Sequence, residues 1–533
     1  MQAFRLRIRT AIWIVCAIAA PMPAAMAGAP LVEELAWLPG DVDMALGVRD
    51  MTRLRSTPIG AGATQLIKTG ILLGGATQSE TLKAWRSFSE RLGFTEDQAF
   101  DALLGERFFY ASRERDDGEN DWVMYSRTTV KTARLVRRKL DVAPREIKHD
   151  RVLMSLEGGA FRLGSLIEND GAWLMLAPTD RDGLFEQITS SDGQPEWENL
   201  GSTNALEKLR TLGDGELSLY ITLDDGVDEL PAGWLGAMAR ARGESVSFAL
   251  ISDPGKPLPA VEPWSTSVFD ELRDGSLLTY LVRIPTGDDV NAMGRRNTDS
   301  VWEAIRDLLE IPHRILGQDL NLILGHRLAI VADAKAGGGL SLGAGIEASD
   351  VRALAAPGDA VARFLAGSID GIYKAHEASF EFVGTLPRAV RKITFKPDQA
   401  GEKLPPFGDE IELTWSFRDS PGVAPAGWWV LGSDESVFAR CAGALTELDE
   451  GAPGGETASW LTLIEAHPAS FFKSMRAGGA RFPEAIEGLE SVESLWMRTW
   501  IADDTGDDLV LGAGSIRLNE PTTARRRHKR PGQ

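Results

Sequence analysis

Cysteine and histidine are scarce in this chain, and their scarcity excludes several kinds of site. The 533 residues include two cysteines and six histidines. Two cysteines cannot build a disulfide-rich scaffold or a cysteine-based zinc module. No two histidines lie four residues apart, and the zinc-binding sequence His-Glu-x-x-His is absent. We therefore expect no metal site, and the absence of a Walker A loop or a Gly-x-Gly-x-x-Gly turn leaves no cofactor to predict.

Basic residues are outnumbered by acidic ones, 57 to 77, and the formal net charge is -20. Affinity for DNA or RNA depends on clustered lysine and arginine that neutralise phosphates. An acidic chain of this kind is not expected to bind nucleic acid. The hydrophobic share of 43% and the charged share of 25% are ordinary for globular proteins. The length corresponds to two to four domains, at roughly 100–200 residues each.

Long hydrophobic runs are missing after residue 27, and the single apolar stretch before it is typical of a secretory signal. Arg5, Arg7 and Arg9 precede the apolar residues 11–20, and Ala25-Met26-Ala27 forms a cleavage site. An uncleaved membrane anchor is the alternative, but it needs about 20 apolar residues. We predict a signal peptide over residues 1–27 and export to the periplasm or cell envelope. Cleavage removes Cys16 and leaves Cys441 as the single thiol.

The last thirteen residues carry positive charge and no acidic residue. Their basic residues are Arg525, Arg526, Arg527, Lys529 and Arg530. Residues 28–520 exclude these five and the three arginines of the signal. They therefore contain 49 of the 57 basic residues and all 77 acidic ones, and their net charge is -28. Such a segment buries too little apolar area to offset the entropy of ordering it. We expect residues 521–533 to be a disordered basic tail, either without a role or in contact with an anionic surface.

Between these termini the sequence pattern indicates an internal duplication. Leu104-Gly105 and Leu324-Gly325 each run into a strand pattern, and the two halves share the order of about seven elements. Prolines between the two halves favour a linker. We predict an α+β unit at 28–252, a proline-rich linker at 253–264 and a diverged repeat at 265–520. Two ordinary domains with chance similarity are the alternative.

The patterns predict the same fold class for both units. Residues 216–221 alternate polar and apolar, which is typical of an antiparallel sheet with one solvated face. Helix patterns fall between pairs of strands, as at 130–140 and 360–369. The prediction is therefore α+β, with each unit a mainly antiparallel sheet that has helices packed on one face.

Three motifs suggest chemistry at first sight. Residues 339–343 match the Gly-x-Ser-x-Gly turn of serine hydrolases, but the residues that follow continue as a strand, so we interpret the stretch as a glycine-rich hairpin. The acidic stretches 116–121 and 503–508 lack the spacing of a calcium loop and are typical of hairpin tips. Cys441 lies on the apolar stripe of a helix with Phe438, which predicts a buried thiol. We predict no catalytic residue.

Tryptophan is frequent, with fifteen residues against five tyrosines. Four tryptophans begin predicted strands, namely Trp122, Trp173, Trp428 and Trp429. Indole rings bury a large area in a protein core, and exposed on a sheet they stack on ligands. The sequence leaves both interpretations open, so these four residues are a candidate ligand surface.

A strand that opens on Leu-Pro-x-Asp follows the signal: Leu38-Pro39-Gly40-Asp41 leads into 42–48, and Asp50-Met51-Thr52 begins a helix pattern. This arrangement resembles an uncharacterised family of exported bacterial proteins with repeated α+β units. The resemblance implies export and a similar architecture over most of 31–520. It carries no catalytic residue, because no activity is established for the family.

The sequence as a whole favours an exported, non-enzymatic binding or scaffold protein of the bacterial cell envelope. Its partner would be an envelope component of unknown identity. Two other interpretations remain open. A hydrolase of envelope polymers would need two carboxylates about 5–10 Å apart in a deep pocket. A glycan-binding protein would need several exposed tryptophans.

Overall fold

The structure is a computed structural model, and it describes part of the chain. The described residues are 31–36, 38–51, 86, 89–90, 92–95, 98, 107–114, 120–140, 146–148, 151–154, 161–167, 171–178, 183–185, 200, 203–222, 233–242, 245–253, 264, 266–283, 324–373, 375–384, 389–399, 401–419, 426–447, 460–481, 490, 492–502 and 509–519. The chain divides into two compact units. Unit 1 holds 1–261 and 499–514, and unit 2 holds 262–498 and 515–533.

Unit 1 is built on an antiparallel sheet. Its strands are β1 (Met44–Val48), β2 (Phe108–Glu114), β3 (Asn120–Thr128), β4 (Glu146–Lys148), β5 (Arg151–Met154), β6 (Phe161–Ile167), β7 (Ala172–Pro178), β8 (Leu217–Thr222), β9 (Trp234–Arg242) and β10 (Ser245–Asp253). Across the sheet they pair in the order β10-β9-β8-β1-β2-β3-β7-β6-β5-β4. Every one of these pairings is antiparallel.

The centre of this sheet is buried on both sides. Its helices are α1 (Leu31–Leu35), α2 (Val130–Leu140) and α3 (Asn204–Thr211). All five residues of β1 are buried, and so are the first five of β8. The expected solvated face at 216–221 is therefore wrong. Ser218 is fully buried, and its hydroxyl donates a hydrogen bond to the sulfur of Met238 at 2.8 Å.

Unit 2 repeats the antiparallel plan with longer strands. Its strands are β11 (Leu278–Arg283), β12 (Leu324–Ala334), β13 (Leu340–Ala348), β14 (Ala375–Val383), β15 (Val390–Pro397), β16 (Ile411–Asp419), β17 (Gly427–Gly432) and β18 (Trp460–Ala466). They pair in the order β18-β11-β12-β13-β17-β16-β15-β14. Two further strands, β19 (Val492–Ile501) and β20 (Val510–Leu518), follow in the chain.

Helices cover both faces of the sheet in unit 2, and the prediction of helices on one face is wrong here. The helices are α4 (Thr266–Arg273), α5 (Val351–Tyr373), α6 (Glu435–Glu447) and α7 (Pro468–Ala477). Neighbouring residues of a strand point to opposite faces. Trp428 belongs to one apolar cluster with Cys441 of α6, and Trp429 belongs to another with Leu354 of α5. The sheet therefore lies between α5 on one side and α4 with α6 on the other.

The two units share one strand order over eight positions. β8-β1-β2-β3-β7-β6-β5-β4 in unit 1 corresponds position by position to β18-β11-β12-β13-β17-β16-β15-β14 in unit 2. β2 begins at Phe108, just after the pair Leu104-Gly105, and β12 begins at the matched Leu324 itself. Tyr220 and Leu461 lie in the corresponding strands β8 and β18. An α+β architecture of mostly antiparallel strands is thus present in both units.

One matched pair of elements differs between the units. The sequence matches 233–242 with 469–476 as corresponding elements, but Trp234–Arg242 is the strand β9, whereas Pro468–Ala477 is the helix α7. Alanine, methionine and arginine in 237–242 favour a helix by propensity. Pairing of β9 with both β8 and β10 outweighs that preference.

The boundary between the units lies after Val261, and the expected linker spans 253–264. Residues 499–514, which the sequence assigns to the second unit, belong to unit 1. None of the helices in the described part of the chain is long and apolar enough to cross a membrane.

Candidate binding surface

The candidate tryptophans lie inside the units rather than on a surface. Trp122, Trp428 and Trp429 are 5%, 0% and 1% exposed, so the idea of a stacking surface formed by them is wrong. Trp173 is half-buried, and its ring lies 6.0 Å from Phe109 and 5.9 Å from Tyr125. The strands β3, β7 and β17 that carry these four tryptophans each pair with a neighbour on both sides. An indole ring supplies much of the area that a core needs to bury.

Trp428 also encloses a buried cation. The guanidinium of Arg327 lies 5.2 Å from the Trp428 ring and 5.4 Å from the Trp264 ring, and it bonds the Glu347 carboxylate at 2.7 Å. A buried arginine is tolerated where an ion pair and aromatic faces compensate its lost hydration. This cluster holds β12, β13 and β17 together, and it leaves no indole face for a ligand.

The glycine-rich stretch 339–343 is part of a hairpin, as the sequence predicts. Gly339 lies in the turn between β12 and β13 with a φ of 102°, and Ser341 is inside strand β13 and 3% exposed. A hydrolase elbow would place its serine on an exposed turn before a helix. Ser341 has neither feature.

Cys441 is buried, which confirms the prediction. Its side chain is 0% exposed in α6, and burial raises the pKa of the thiol to about 12. Because only the thiolate reacts with disulfide reagents, we expect labelling in the native protein to be slowed at least 100-fold relative to the urea-unfolded chain. Stopped-flow absorbance with Ellman's reagent at pH 8 measures both rates. Rapid stoichiometric labelling of the native protein would contradict this placement.

An open acidic groove of about 820 Å³ lies in unit 2, at the end of α4. Its lining includes Asp270, Glu271, Asp274 and Glu465, and the cations Arg273 and His467. Arg273 bonds Asp270 at 3.0 Å and Glu465 at 3.4 Å, and His467 lies 3.6 Å from Glu465. A carboxylate hydrolase needs one acid kept protonated in apolar surroundings. Here Arg273 lies between the exposed Asp270 and the half-buried Glu465, which is the arrangement of a surface ion-pair network.

Strand β14 forms an edge of the sheet in unit 2. Among the described strands its single partner is β15, which it pairs from Ala375 opposite Pro397 to Val383 opposite Val390, with a register shift between Glu377 and Ser379. On its other side, alternate backbone N–H and C=O groups point outward. The corresponding edge strand of unit 1, β4, is three residues long, whereas β14 has nine. A long edge of this kind offers a template for another strand.

Large apolar side chains are exposed along this edge. Phe380, Phe382 and Val383 of β14 are 45%, 50% and 64% exposed, and Phe364 of α5 is 45% exposed. We call these four residues the apolar edge. Phe380 and Phe382 lie opposite Ile393 and Arg391 of β15, and both of these are buried beside α5. The two phenylalanines therefore extend the α5 side of the sheet beyond the cover that the helix provides.

Two arginines hold these rings in place. The guanidinium of Arg363 lies 5.6 Å from the Phe380 ring, and that of Arg391 lies 5.4 Å from the Phe382 ring. Arg391 is fixed in turn by its ion pair with Asp359 at 2.8 Å. The apolar edge thus has a defined geometry although its rings are half exposed.

The opposite face of the same edge is charged. Glu381 lies opposite Lys392 in register, and the Lys392 ammonium bonds Glu412 at 2.9 Å and lies 3.5 Å from Glu435. The hydrogen bond to Glu412 raises the pKa of Lys392. The margin of unit 2 is therefore amphipathic, with Phe380 and Phe382 on one face and the ion pairs, beside Val383, on the other.

Sequence reasoning missed this edge although a signal was present. Residues 379–383 (Ser-Phe-Glu-Phe-Val) alternate polar and apolar, which is typical of a strand. Alternation alone does not tell whether the apolar face is covered.

The basic residues 525–530 and both acidic stretches, apart from Asn120 and Asp121, lie outside the described residues. Within the described part of the chain, no cluster of three or more metal-ligating side chains occurs.

Comparison with known proteins gives weak matches only. No protein-family model matches the chain, and no curated protein matches it. Among solved structures, "Structure of crystal form I of TP0453" matches with a TM-score of 0.24 and 14% identity, over 44% of this chain and 83% of that chain. "Structure of crystal form III of TP0453" matches with a TM-score of 0.21 and 11% identity over the same shares. Likeness of this degree establishes no shared fold, so the chain is assigned to no family.

Proposed function

We propose that this chain is an exported, non-enzymatic binding or scaffold protein of the bacterial cell envelope, and that it binds through the apolar edge of unit 2. The observation that carries the proposal is the exposure of Phe364, Phe380, Phe382 and Val383 beside an edge strand without a second described partner. Contiguous exposed apolar side chains on a soluble surface mark interaction sites. Export rests on the signal-like residues 1–27.

The shape of the edge fits a protein partner. Unpaired backbone groups bind an extended segment by adding a strand to the sheet, and the flanking side chains select its sequence. Edge strands that must stay free are commonly short or carry lysine. β14 has nine residues and no lysine, and it carries its charges as Glu377 and Glu381. A register shift between Glu377 and Ser379 interrupts its ladder, so the regular part of the edge that a partner strand could extend is 379–383.

We also infer that the two units arose by duplication and then diverged at this edge. The support is the shared order of eight strands, together with the matched sequence segments. In that view β4 and β14 descend from one strand, and the apolar edge was elaborated in unit 2. A glycan-binding or hydrolytic role gains no comparable support from the described residues.

A double variant tests the proposed surface. Phe364→Gln with Phe380→Gln removes two half-exposed rings while it leaves the Arg391–Asp359 pair intact. Interface aromatics commonly contribute about 1 kcal/mol or more each, so binding should weaken roughly tenfold or more. Binding is measured by co-sedimentation of the purified protein with envelope fractions from the bacterium that produces it.

Trp496→Gln is the matched control, because Trp496 is an apolar side chain of unit 2 with similar exposure, 40%, on a different strand. It should bind as the wild type does. Circular dichroism and the thermal midpoint must show that all three proteins are folded. The proposal is wrong if the wild type does not co-sediment, or if the double variant binds as well as the wild type.

A further inference from the structure

We propose that the strand that extends the sheet beside β14 is a segment of another protein, with a basic residue opposite Glu381 and an apolar residue on each side of it. This inference rests on the proposed function, because it states the chemistry of the partner at the apolar edge. It concerns residues 379–383, the regular part of the ladder beyond the register shift. The side chains at these five positions decide which segment fits.

Glu381 lies at the centre of 379–383, and its side chain is exposed. Lys392 lies opposite it on β15, but the Lys392 ammonium bonds Glu412 at 2.9 Å and lies 3.5 Å from Glu435. Within the described part of the chain, the Glu381 carboxylate forms no hydrogen bond or ion pair. One ammonium thus lies among three carboxylates, and this face of the edge has an excess of negative charge.

A strand added beside β14 places one of its own residues directly opposite Glu381. Opposite charges at directly facing positions stabilise a strand pair, and like charges destabilise it. Residues 28–520 carry a net charge of -28, so the field of the whole body also attracts a basic segment. Glu381 therefore favours lysine or arginine at the facing position and disfavours aspartate or glutamate.

The two neighbours of this basic residue point to the other face of the sheet, because successive side chains of a strand alternate. There they lie beside Phe380 and Phe382, which are 45% and 50% exposed. Pairs of an aromatic and a β-branched side chain favour strand pairing, so valine or isoleucine fits both positions. The order apolar-basic-apolar is the same in both chain directions, and it therefore holds for a parallel and for an antiparallel partner.

The contact involves five residues of one strand, so an isolated peptide should bind weakly. Ordering the peptide costs conformational entropy that a small contact only partly offsets, and we expect a dissociation constant of roughly 0.1–1 mM. A partner protein that presents the segment in an extended conformation would bind more tightly, because less ordering is required.

A charge exchange between peptide and protein tests the facing position. The probes are the peptide Ser-Gly-Thr-Val-Lys-Val-Thr-Gly-Ser and its counterpart with glutamate in place of lysine, each titrated calorimetrically into the full chain. The wild type should bind the lysine peptide about three- to tenfold more tightly than the glutamate peptide. Glu381→Lys should invert this preference. Glu402→Lys is the matched control, because Glu402 is an exposed glutamate of the same unit in the loop between β15 and β16, and it should keep the wild-type preference.

Backbone methylation of the lysine peptide tests strand addition independently of charge. Alternate N–H groups of an added strand point toward its neighbour. Of two peptides that carry one N-methyl group, on the lysine or on the valine after it, one should bind at least roughly fivefold more weakly and the other should bind as the parent does. Phe364→Gln with Phe380→Gln should weaken the binding of both charged peptides by a similar factor, because the apolar face contacts the valines of each.

The outcomes separate this inference from the proposed function. Equal binding of the two charged peptides by the wild type, or a preference that Glu381→Lys leaves unchanged, overturns the selection of a basic residue. Equal effects of the two N-methyl groups, or no binding of either charged peptide up to roughly 2 mM, overturns strand addition by this pattern. In each of these cases the proposed function stands if the phenylalanine double variant loses envelope binding. Selective peptide binding by a wild type that does not co-sediment with the envelope contradicts the proposed function alone.

Discussion

Replacing Asp359 with alanine should destabilise unit 2 by about 3–5 kcal/mol, because it leaves a buried arginine without its counter-charge. Arg391 is 2% exposed, and its Nε lies 2.8 Å from Asp359. The same carboxylate oxygen accepts a hydrogen bond from Trp415 Nε1 at 2.7 Å. The substitution therefore leaves the Arg391 charge and the Trp415 N–H without their common partner in the core beneath α5.

Urea unfolding followed by tryptophan fluorescence and circular dichroism measures this loss as a lower midpoint for the transition of unit 2. Asp359→Asn keeps an oxygen that accepts from Trp415 while it removes the charge, so its cost should be intermediate. Arg517→Ala is the control, because Arg517 and its partner Glu493 are 59% and 48% exposed. Exposed pairs contribute about 0–1 kcal/mol. Equal effects of Asp359→Ala and Arg517→Ala would show that the Arg391 site is not buried in solution.

Replacing Trp428 with alanine should cost about 3–5 kcal/mol as well, the range for a large buried aromatic side chain. The indole of Trp428 is fully buried between α4, α6 and the sheet, and its ring lies 5.7 Å from that of Trp264. Its removal opens a cavity and withdraws one of the two rings that enclose Arg327. A tryptophan on a ligand surface would behave differently, since its loss would weaken binding and leave stability unchanged.

Trp496→Ala separates these two outcomes. Trp496 is 40% exposed in β19, so the same chemical change there should cost less than about 1 kcal/mol. The comparison uses the same urea titration for both variants. If Trp428→Ala unfolds at the urea concentration of the wild type, the indole is not a core residue, and its role as a ligand contact would reopen.

The sequence predicted many individual elements well, because their patterns reflect local chemistry. The helix at 130–140 and the strands at 217–222 and 245–253 lie where the hydrophobic periodicity places them. The burial of Cys441 followed from its spacing to Phe438 on one helical stripe. The matched order of segments in the two halves also predicted that corresponding strands would share positions in the two sheets.

Other features depend on which element covers which, and no local pattern contains that information. Adjacent indoles at 428 and 429 are both buried because helices lie on both faces of the sheet, whereas alternation in the sequence suggested one solvated face. The strand at 234–242 exists because two neighbouring strands bind its backbone on both sides, and this outweighs a composition that favours a helix.

The apolar edge shows most clearly what a local sequence pattern determines and what depends on the tertiary structure. The sequence by itself determined that residues 379–383 alternate, and so that phenylalanine would line one face of any strand formed there. Only the tertiary structure decided that this strand lies at the margin of its sheet, past the cover of α5, with 45% and 50% of Phe380 and Phe382 exposed. The physical reason is that burial depends on neighbours far apart in the chain. Periodicity fixes which side chains share a face, and long-range pairing fixes what covers that face.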